Sequence, residues 1–439
     1  MRFASTRNPS LQADFREAVL TGLAPDGGLY HPIEQPDLHS LFLGLNPDSP
    51  FVETAVTVVE RLFGDSFGAD TDDVVRRAFP FSPKLAPLND QIDILELFHG
   101  PSCAFKDFGA SFLASAMETF LADSDDRAVI LTATSGDTGS AVAQAFHNRP
   151  NIEVVILYPS GRVSRLQEQQ LTTVGDNVIA LEVAGSFDDC QRLVKEAFVD
   201  SELRSAVCLT SANSINIGRL LPQALYYIYA FQLLRARMIS EFYFCVPSGN
   251  FGNLTAGILA WSWGLPVSGF VAATNVNDVV PDYLRTGIYS PRPSIQTVAN
   301  AMDVGDPSNF ERLLAIFDAD HDALSSLVSG VVVTDEQIRT TMREVHEDRG
   351  LLIDPHTAAG VFGAQTFLAE EGAGDATIVT LATAHPAKFV EVVEQACGVT
   401  PPLPQALATA LERQKHSVPI AADGTALKQY LLEHYGSHD

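Results

Sequence analysis

Apolar residues recur along this chain in two alternating rhythms. Short runs rich in β-formers, AVILTAT (Ala128–Thr134), EVVILYPS (Glu153–Ser160), NVIALEV, AVCLTS and EFYFCVPS, each end in a polar or glycine turn. Helical spacing follows several of them, as in GSAVAQAFH and the polar stretch around RVSRLQEQQL, and ATIVTLATAHP repeats the theme late in the chain. Strands alternating with helices predict an α/β fold with mostly parallel sheets covered by helices. The first eighty residues read differently. LQADFREAVLTGL sets Phe15, Val19 and Leu23 at four-residue spacing before APDGG breaks it, and FVETAVTVVERLFG predicts a second helix ending near Gly64. FPFSPKLAPL, Phe79 to Leu88, is spaced by prolines and reads as a linker. The expected division is a mainly helical N-terminal domain at 1–83, an α/β region at 84–395 and a helical tail at 396–439.

Length and composition narrow the class. A chain of 439 residues, 46% apolar and 19% charged, is an ordered globular protein of two to three domains. Its net charge of −26 repels nucleic acid phosphates and anionic membrane surfaces, so neither is an expected partner. An anionic substrate therefore needs local basic groups. Cys103, Cys190, Cys208, Cys245 and Cys397 are scattered with no C-x-x-C pair, which supports neither a disulfide framework nor a zinc site. No apolar leader opens MRFASTRNPS and no stretch is long enough to cross a bilayer, so the expected location is a reducing cytoplasm. His346 and Glu347 do not form H-E-x-x-H, and no serine sits in G-x-S-x-G; no metal is expected.

The chemistry concentrates at a lysine and two glycine-rich turns. Lys106, in HGPSCAFKDFGASF, stands where a helix begins near Asp107. A lysine there is ordinarily a solvated surface residue, but Phe105, Phe108 and Phe112 make the surroundings apolar. Burial and a positive helix N-terminus disfavour an ammonium and leave an amine free to act as nucleophile and base, while Asp107 pushes the other way. Gly249-Asn250-Phe251-Gly252-Asn253 follows a strand and opens the helix LTAGILAWSWG. Converging backbone N–H groups suit a phosphate, and an ordinary strand-to-helix turn accounts for the loop alone equally well. Ser135-Gly136-Asp137-Thr138-Gly139 stands at an equivalent junction, readable as a nest for a small carboxylate or as a plain N-cap. Thr383 ends a strand, where open α/β sheets place ligand-contacting groups. Arg162 and Arg165 are candidates for the local positive charge, or solvated surface residues; His356 and His385 sit beside proline-containing turns as structural residues do.

Taken together, STRNP, LAPDGGLY, HGPSCAFKDFGA, TATSGDTGSA, SANSINIGRLLPQ, PSGNFGN, TNVNDVVPDYLRTGIY, AMDVGDPSNFERLL, DPHTA and ATAHPAKF resemble the threonine synthase family. These are pyridoxal 5′-phosphate enzymes of the tryptophan-synthase-β, or type II, fold. The resemblance runs from the N-terminus to about residue 400; the lysine motif and AMDVGDPSNFER are its most specific parts, and Ser102 stands where the family often has threonine. It implies two α/β lobes and a cofactor Schiff base on Lys106, with Gly249, Asn250, Phe251, Gly252 and Asn253 on the cofactor phosphate. It further implies Thr383 at the pyridine nitrogen, Asp137 near the 3′-oxygen, Ser135 and Thr138 on the substrate carboxylate, and Arg162 on the substrate phosphate. The implied reaction turns O-phospho-L-homoserine and water into L-threonine and phosphate, in a monomer or homodimer. A phospholyase releasing 2-oxobutyrate, ammonia and phosphate would use the same motifs, and a non-catalytic interaction protein could retain the fold.

Overall fold

The computed structural model describes residues 1–122, 127–134, 136–238, 240–371 and 375–436. The chain opens on a small antiparallel sheet, β1 (Arg2–Ser5), β2 (Gln12–Asp14) and β3 (Tyr30–Pro32), in the order β2-β1-β3. Helices Phe15–Thr21, His39–Gly44, Phe51–Phe67 and Thr71–Ala78 accompany it, and the helix expected to end near Gly64 runs three residues further. The linker stretch contains an edge strand, β4 (Lys84–Pro87), paired antiparallel to β5 (Ile92–Glu96). Proline lacks a donor, so an edge is where such a strand is tolerated.

From β5 the chain crosses between two sheets. β6 (Ala128–Ala133), β7 (Ile152–Pro159), β8 (Val178–Ala184) and β9 (Cys208–Thr210) build the smaller lobe. β10 (Phe242–Pro247), β11 (Gly269–Thr274), β12 (Val328–Val332) and β13 (Thr377–Ala382) return to the larger, giving the order β12-β11-β10-β13-β5-β4. The tail at 396–439 departs from the expected all-helical form. Between helices Gln405–Glu412 and Gly424–Tyr435 it contributes β14 (Val418–Ala421), which completes the smaller sheet as β14-β8-β7-β6-β9. Central strands such as β6 and β11 are buried along their whole length, as helix-covered parallel strands must be, and therefore read as unbroken apolar runs.

Two consequences position the site. β5, β13 and β10 are adjacent and mutually parallel, so the segments leaving their C-terminal ends emerge side by side at one edge. The N-terminal region, moreover, shares its core with the α/β region. Phe15 stacks on Phe63 at 4.3 Å and meets Phe120 edge-on at 6.1 Å, while Phe51 meets Phe108 at 5.4 Å. Helix Lys106–Leu121 is thus packed from behind by aromatic rings, each contact worth about 0.5–1.5 kcal/mol beyond its buried area. Among the described residues no helix is long and apolar enough to cross a membrane.

Candidate active site

Lys106 is the first residue of helix Lys106–Leu121, and the approach to it is stitched to the segment after β13. Leu97 N–H donates to the Ala382 carbonyl at 3.0 Å, Phe105 N–H to the Thr383 carbonyl at 2.8 Å, and His385 N–H to the Cys103 carbonyl at 3.0 Å. Ala104 and Ala384 form an antiparallel bridge. The side chain of Lys106 keeps some access to solvent but is crowded enough that burial lowers its pKa to about 8; Arg219 and Lys388 push the same way and Asp137 opposes. Asp107 is not the counter-charge, although it is next in sequence. Its Oδ2 accepts the Ser102 N–H at 2.9 Å, packed so tightly against Gly100 that a Cβ there would lie 2.4 Å from it. Burial lifts the Asp107 carboxyl to about 6.

The turn after β6 brings Asp137 to the start of helix Asp137–Phe146, with Gly136 at φ 149° under the Gln167 amide. A Cβ at 136 would sit 2.4 Å from Gln167 Nε2, so glycine is required by both conformation and space. Asp137 Oδ1 accepts from Gln167 Nε2 at 3.1 Å and pairs with Lys388 Nζ at 2.9 Å. Burial resists ionisation of this carboxyl, but Lys388 and Lys106 prevail and hold its pKa well below the usual range. Lys388 also donates to the Ser102 carbonyl at 2.8 Å, an oxygen shared with Gln170 Nε2 at 3.1 Å. Thr138 is half-buried on the same helix, and Arg162 lies exposed on the turn that follows β7. Ser135 lies outside the described residues.

The third segment, Gly249 to Asn253, leaves β10 and opens helix Gly252–Ser262 through Phe251 in the left-handed region at φ 58°. Its shape is enforced from several sides. A Cβ on Gly249 would approach Met302 Cα to 2.7 Å and the Ala301 carbonyl oxygen to 2.9 Å. Asn250 Oδ1 accepts the Ser308 N–H at 2.6 Å, its carbonyl accepts from Asn309 Nδ2 at 3.1 Å, and its Nδ2 donates to Ser214 Oγ at 3.1 Å. Arg312, fully buried, locks that arrangement by donating to Asn309 Oδ1 and to the carbonyls of Tyr30 (2.8 Å), Ser214 (3.2 Å) and Ile215 (2.8 Å). His356 Nε2 accepts the Ala301 N–H at 3.1 Å, so the ring proton sits on Nδ1, which donates to Asp354 at 2.7 Å. His356 is accordingly structural, as its sequence context suggested.

These residues fit pyridoxal phosphate. The loop at 249–253 is a cradle that side chains would fill, and Asn253 Nδ2 is buried without a partner while its Oδ1 accepts from Tyr227 at 2.8 Å. Around Lys106 the cations Lys106, Lys388 and Arg219 outnumber the carboxylates Asp107 and Asp137, a surplus suited to an anionic ligand in a strongly acidic protein. Arg219 and Lys388 were not among the sequence candidates. SINIGR and ATAHPAKF carried them in view, but a lone basic residue gives no sign of its own burial. Arg219 is 3% exposed, and burial lowers its pKa to about 10; one of its terminal nitrogens donates to the Ala212 carbonyl.

Comparison with known proteins finds one family along nearly the whole chain. Family models match residues 2–79 (threonine synthase N terminus), 88–384 (pyridoxal-phosphate dependent enzyme) and 357–431 (threonine synthase, C-terminal). The threonine synthase of Escherichia coli (strain K12) is 42% identical over 435 residues, covering 99% of this chain and 100% of its own. The crystal structure of PLP-bound threonine synthase from Brucella melitensis matches with a TM-score of 0.91 at 38% identity, covering 99% of each chain. The yeast threonine synthase structure matches at 0.90 and 32% identity over 98% of each.

Proposed function

The chain belongs to the threonine synthase family, and we propose how its own residues carry out the conversion of O-phospho-L-homoserine and water to L-threonine and phosphate. The cofactor is pyridoxal 5′-phosphate. When bound, it supplies an aldehyde for a lysine and an electron sink that makes substrate carbon acids acidic. Lys106 is the residue that holds it. The observation carrying this assignment is positional: Lys106 opens a helix, and the segment leading to it is tied to the strand end at Thr383 by the Phe105 N–H; burial, which lowers the amine's pKa to about 8, accords with it. At pH 7 about a tenth of such an amine is uncharged, against about one part in three thousand for an ordinary lysine.

Gly249 to Asn253 hold the cofactor phosphate by backbone N–H groups and the spare Asn253 amide, with the N-terminus of helix Gly252–Ser262 favouring the dianion. Thr383 would hold the pyridine nitrogen through its hydroxyl, and Asp137 would be the carboxylate for the ring oxygen. Ser135 and Thr138 take the substrate carboxylate. Arg162 meets the substrate phosphate from the exposed turn, and the buried Arg219 adds a cation beside Lys106. Once released, Lys106 Nζ moves protons at the substrate carbons, the role for which a pKa near working pH is best matched.

The test supplies O-phosphohomoserine to the protein with pyridoxal phosphate and quantifies phosphate, threonine and 2-oxobutyrate together. Phosphate and threonine in equal amounts are expected, with borohydride fixing the pyridoxyl group on Lys106. Phosphate with 2-oxobutyrate and no threonine would make the protein a phospholyase, and an adduct elsewhere would remove Lys106 from its role.

A further inference from the structure

The reaction above gives no role to Lys388. Its side chain is wholly buried, yet it ends in two charged or strongly polar contacts: Asp137 Oδ1 at 2.9 Å and the Ser102 carbonyl at 2.8 Å. Both partners are themselves held. Gln167 shares the Asp137 oxygen at 3.1 Å, Gln170 shares the Ser102 carbonyl at 3.1 Å, and the Ser102 N–H bonds Asp107 Oδ2 at 2.9 Å. Lys388 therefore ties the Asp137 turn of one lobe to the Lys106 loop, and does so from the turn Pro386–Phe389 that follows Thr383. Burying this pair costs desolvation, which its short contact and the added hydrogen bonds from Gln167 and to the Ser102 carbonyl offset.

Lys106 is a group that feels both members of the pair. Asp137 favours its protonated form and Lys388 disfavours it. The other charges acting on these residues are Arg219, which disfavours the Lys106 ammonium, and Asp107, which feels both Lys388 and Arg219. Cys103 and His385 also face Lys388, with His99 and Glu96 behind His385. We propose that Lys388 is a positioning residue: it holds the Asp137 carboxylate charged and fixed, and cancels that charge where it would otherwise pair with the Lys106 amine. Without it, Asp137 turns from a neutralised neighbour into the counter-ion of Lys106. This inference rests on Lys106 being the cofactor lysine.

The experiment follows the visible absorbance of the lysine-bound cofactor against pH in the holoenzyme. Lys388→Met removes the cancelling cation, so the protonation midpoint rises by about one pH unit, tenfold in the equilibrium. Asp137→Asn leaves Lys388 unopposed, and the midpoint falls. Lys388→Arg keeps the charge and stays near wild type, and the double variant Asp137→Asn, Lys388→Met returns toward it. A midpoint unmoved or lowered in Lys388→Met, or displaced equally in Lys388→Arg, overturns the proposal. If Lys388→Met fails to fold, Asp137→Asn decides alone, an unmoved or raised midpoint being the overturning result. Borohydride trapping in wild type separates the two levels: an adduct away from Lys106 sinks the functional reading, whereas an adduct on Lys106 with unmoved midpoints sinks only the role of Lys388.

Discussion

The backbone N–H of Phe105 donates to the carbonyl oxygen of Thr383 at 2.8 Å. The residue preceding the proposed cofactor lysine is thus fixed to the residue proposed for the pyridine nitrogen, across 278 positions of sequence, through main-chain atoms alone. Side-chain changes at 383 leave this bond in place. Thr383→Ala should therefore still load cofactor on Lys106 while kcat falls on the order of 10²-fold, the scale of a lost positioned hydroxyl. Absorbance of the loaded enzyme and steady-state kinetics, measured on the same sample, read the two effects separately. Loss of cofactor binding with kcat intact would place the hydroxyl elsewhere.

Gly249→Ala tests the phosphate cradle. The added Cβ meets Met302 Cα at 2.7 Å and the Ala301 carbonyl oxygen at 2.9 Å, backbone atoms that cannot rotate aside. The loop must shift, at about 1–3 kcal/mol of strain. We expect affinity for pyridoxal phosphate to weaken at least tenfold, measured by equilibrium titration of the cofactor-free protein. Unchanged affinity would mean the loop does not carry the phosphate.

Arg312 makes a different prediction, because it never needs to touch a ligand. Its guanidinium serves Asn309 Oδ1 and three backbone carbonyls from Tyr30, Ser214 and Ile215. Arg312→Lys keeps the charge but loses the planar fork, so several buried acceptors go unpaired. The expected loss is about 3 kcal/mol in urea unfolding, with cofactor affinity falling in parallel because Asn309 no longer steadies Asn250. Stability lost without weaker cofactor binding would separate the clamp from the cradle.

Much of this site was legible as sequence because its main parts are short contiguous motifs at strand ends. PSGNFGN and ATAHPAKF follow strands that the sequence shows, whereas β5 before HGPSCAFKDFGA, and the adjacency that brings Lys106, Gly249–Asn253 and Thr383 to one edge, came from the structure. What escaped depends on distant partners. Lys388 owes its burial and pairing to Asp137, 251 positions earlier, and no local pattern distinguishes it from a surface lysine. Lys106 feels the charge of Asp137 rather than that of its neighbour Asp107, whose Oδ2 turns back to accept the Ser102 N–H beside Gly100. β1, β2 and β3 span three or four residues each, too few for an alternating pattern to show. β14 is a strand only because β8 offers it an edge.

Asp107 supplies a prediction about pH. Its folded pKa, lifted to about 6 by burial, exceeds the ordinary 3.8. Between those values the folded protein keeps a proton that the unfolded chain has released, so this group makes stability fall as pH rises through the window. Above pH 6 the penalty is complete, on the order of 3 kcal/mol. Asp107→Asn cannot titrate, and its amide oxygen can still accept the Ser102 N–H. Its stability relative to wild type should therefore climb by about that amount between pH 4 and pH 7, whatever the constant offset from burying an amide nitrogen where Oδ1 has no partner. Urea unfolding of both cofactor-free proteins across that range reads the difference directly. A gap that stays flat with pH would mean that Asp107 is ionised throughout, with Lys388 and Arg219 outweighing its burial.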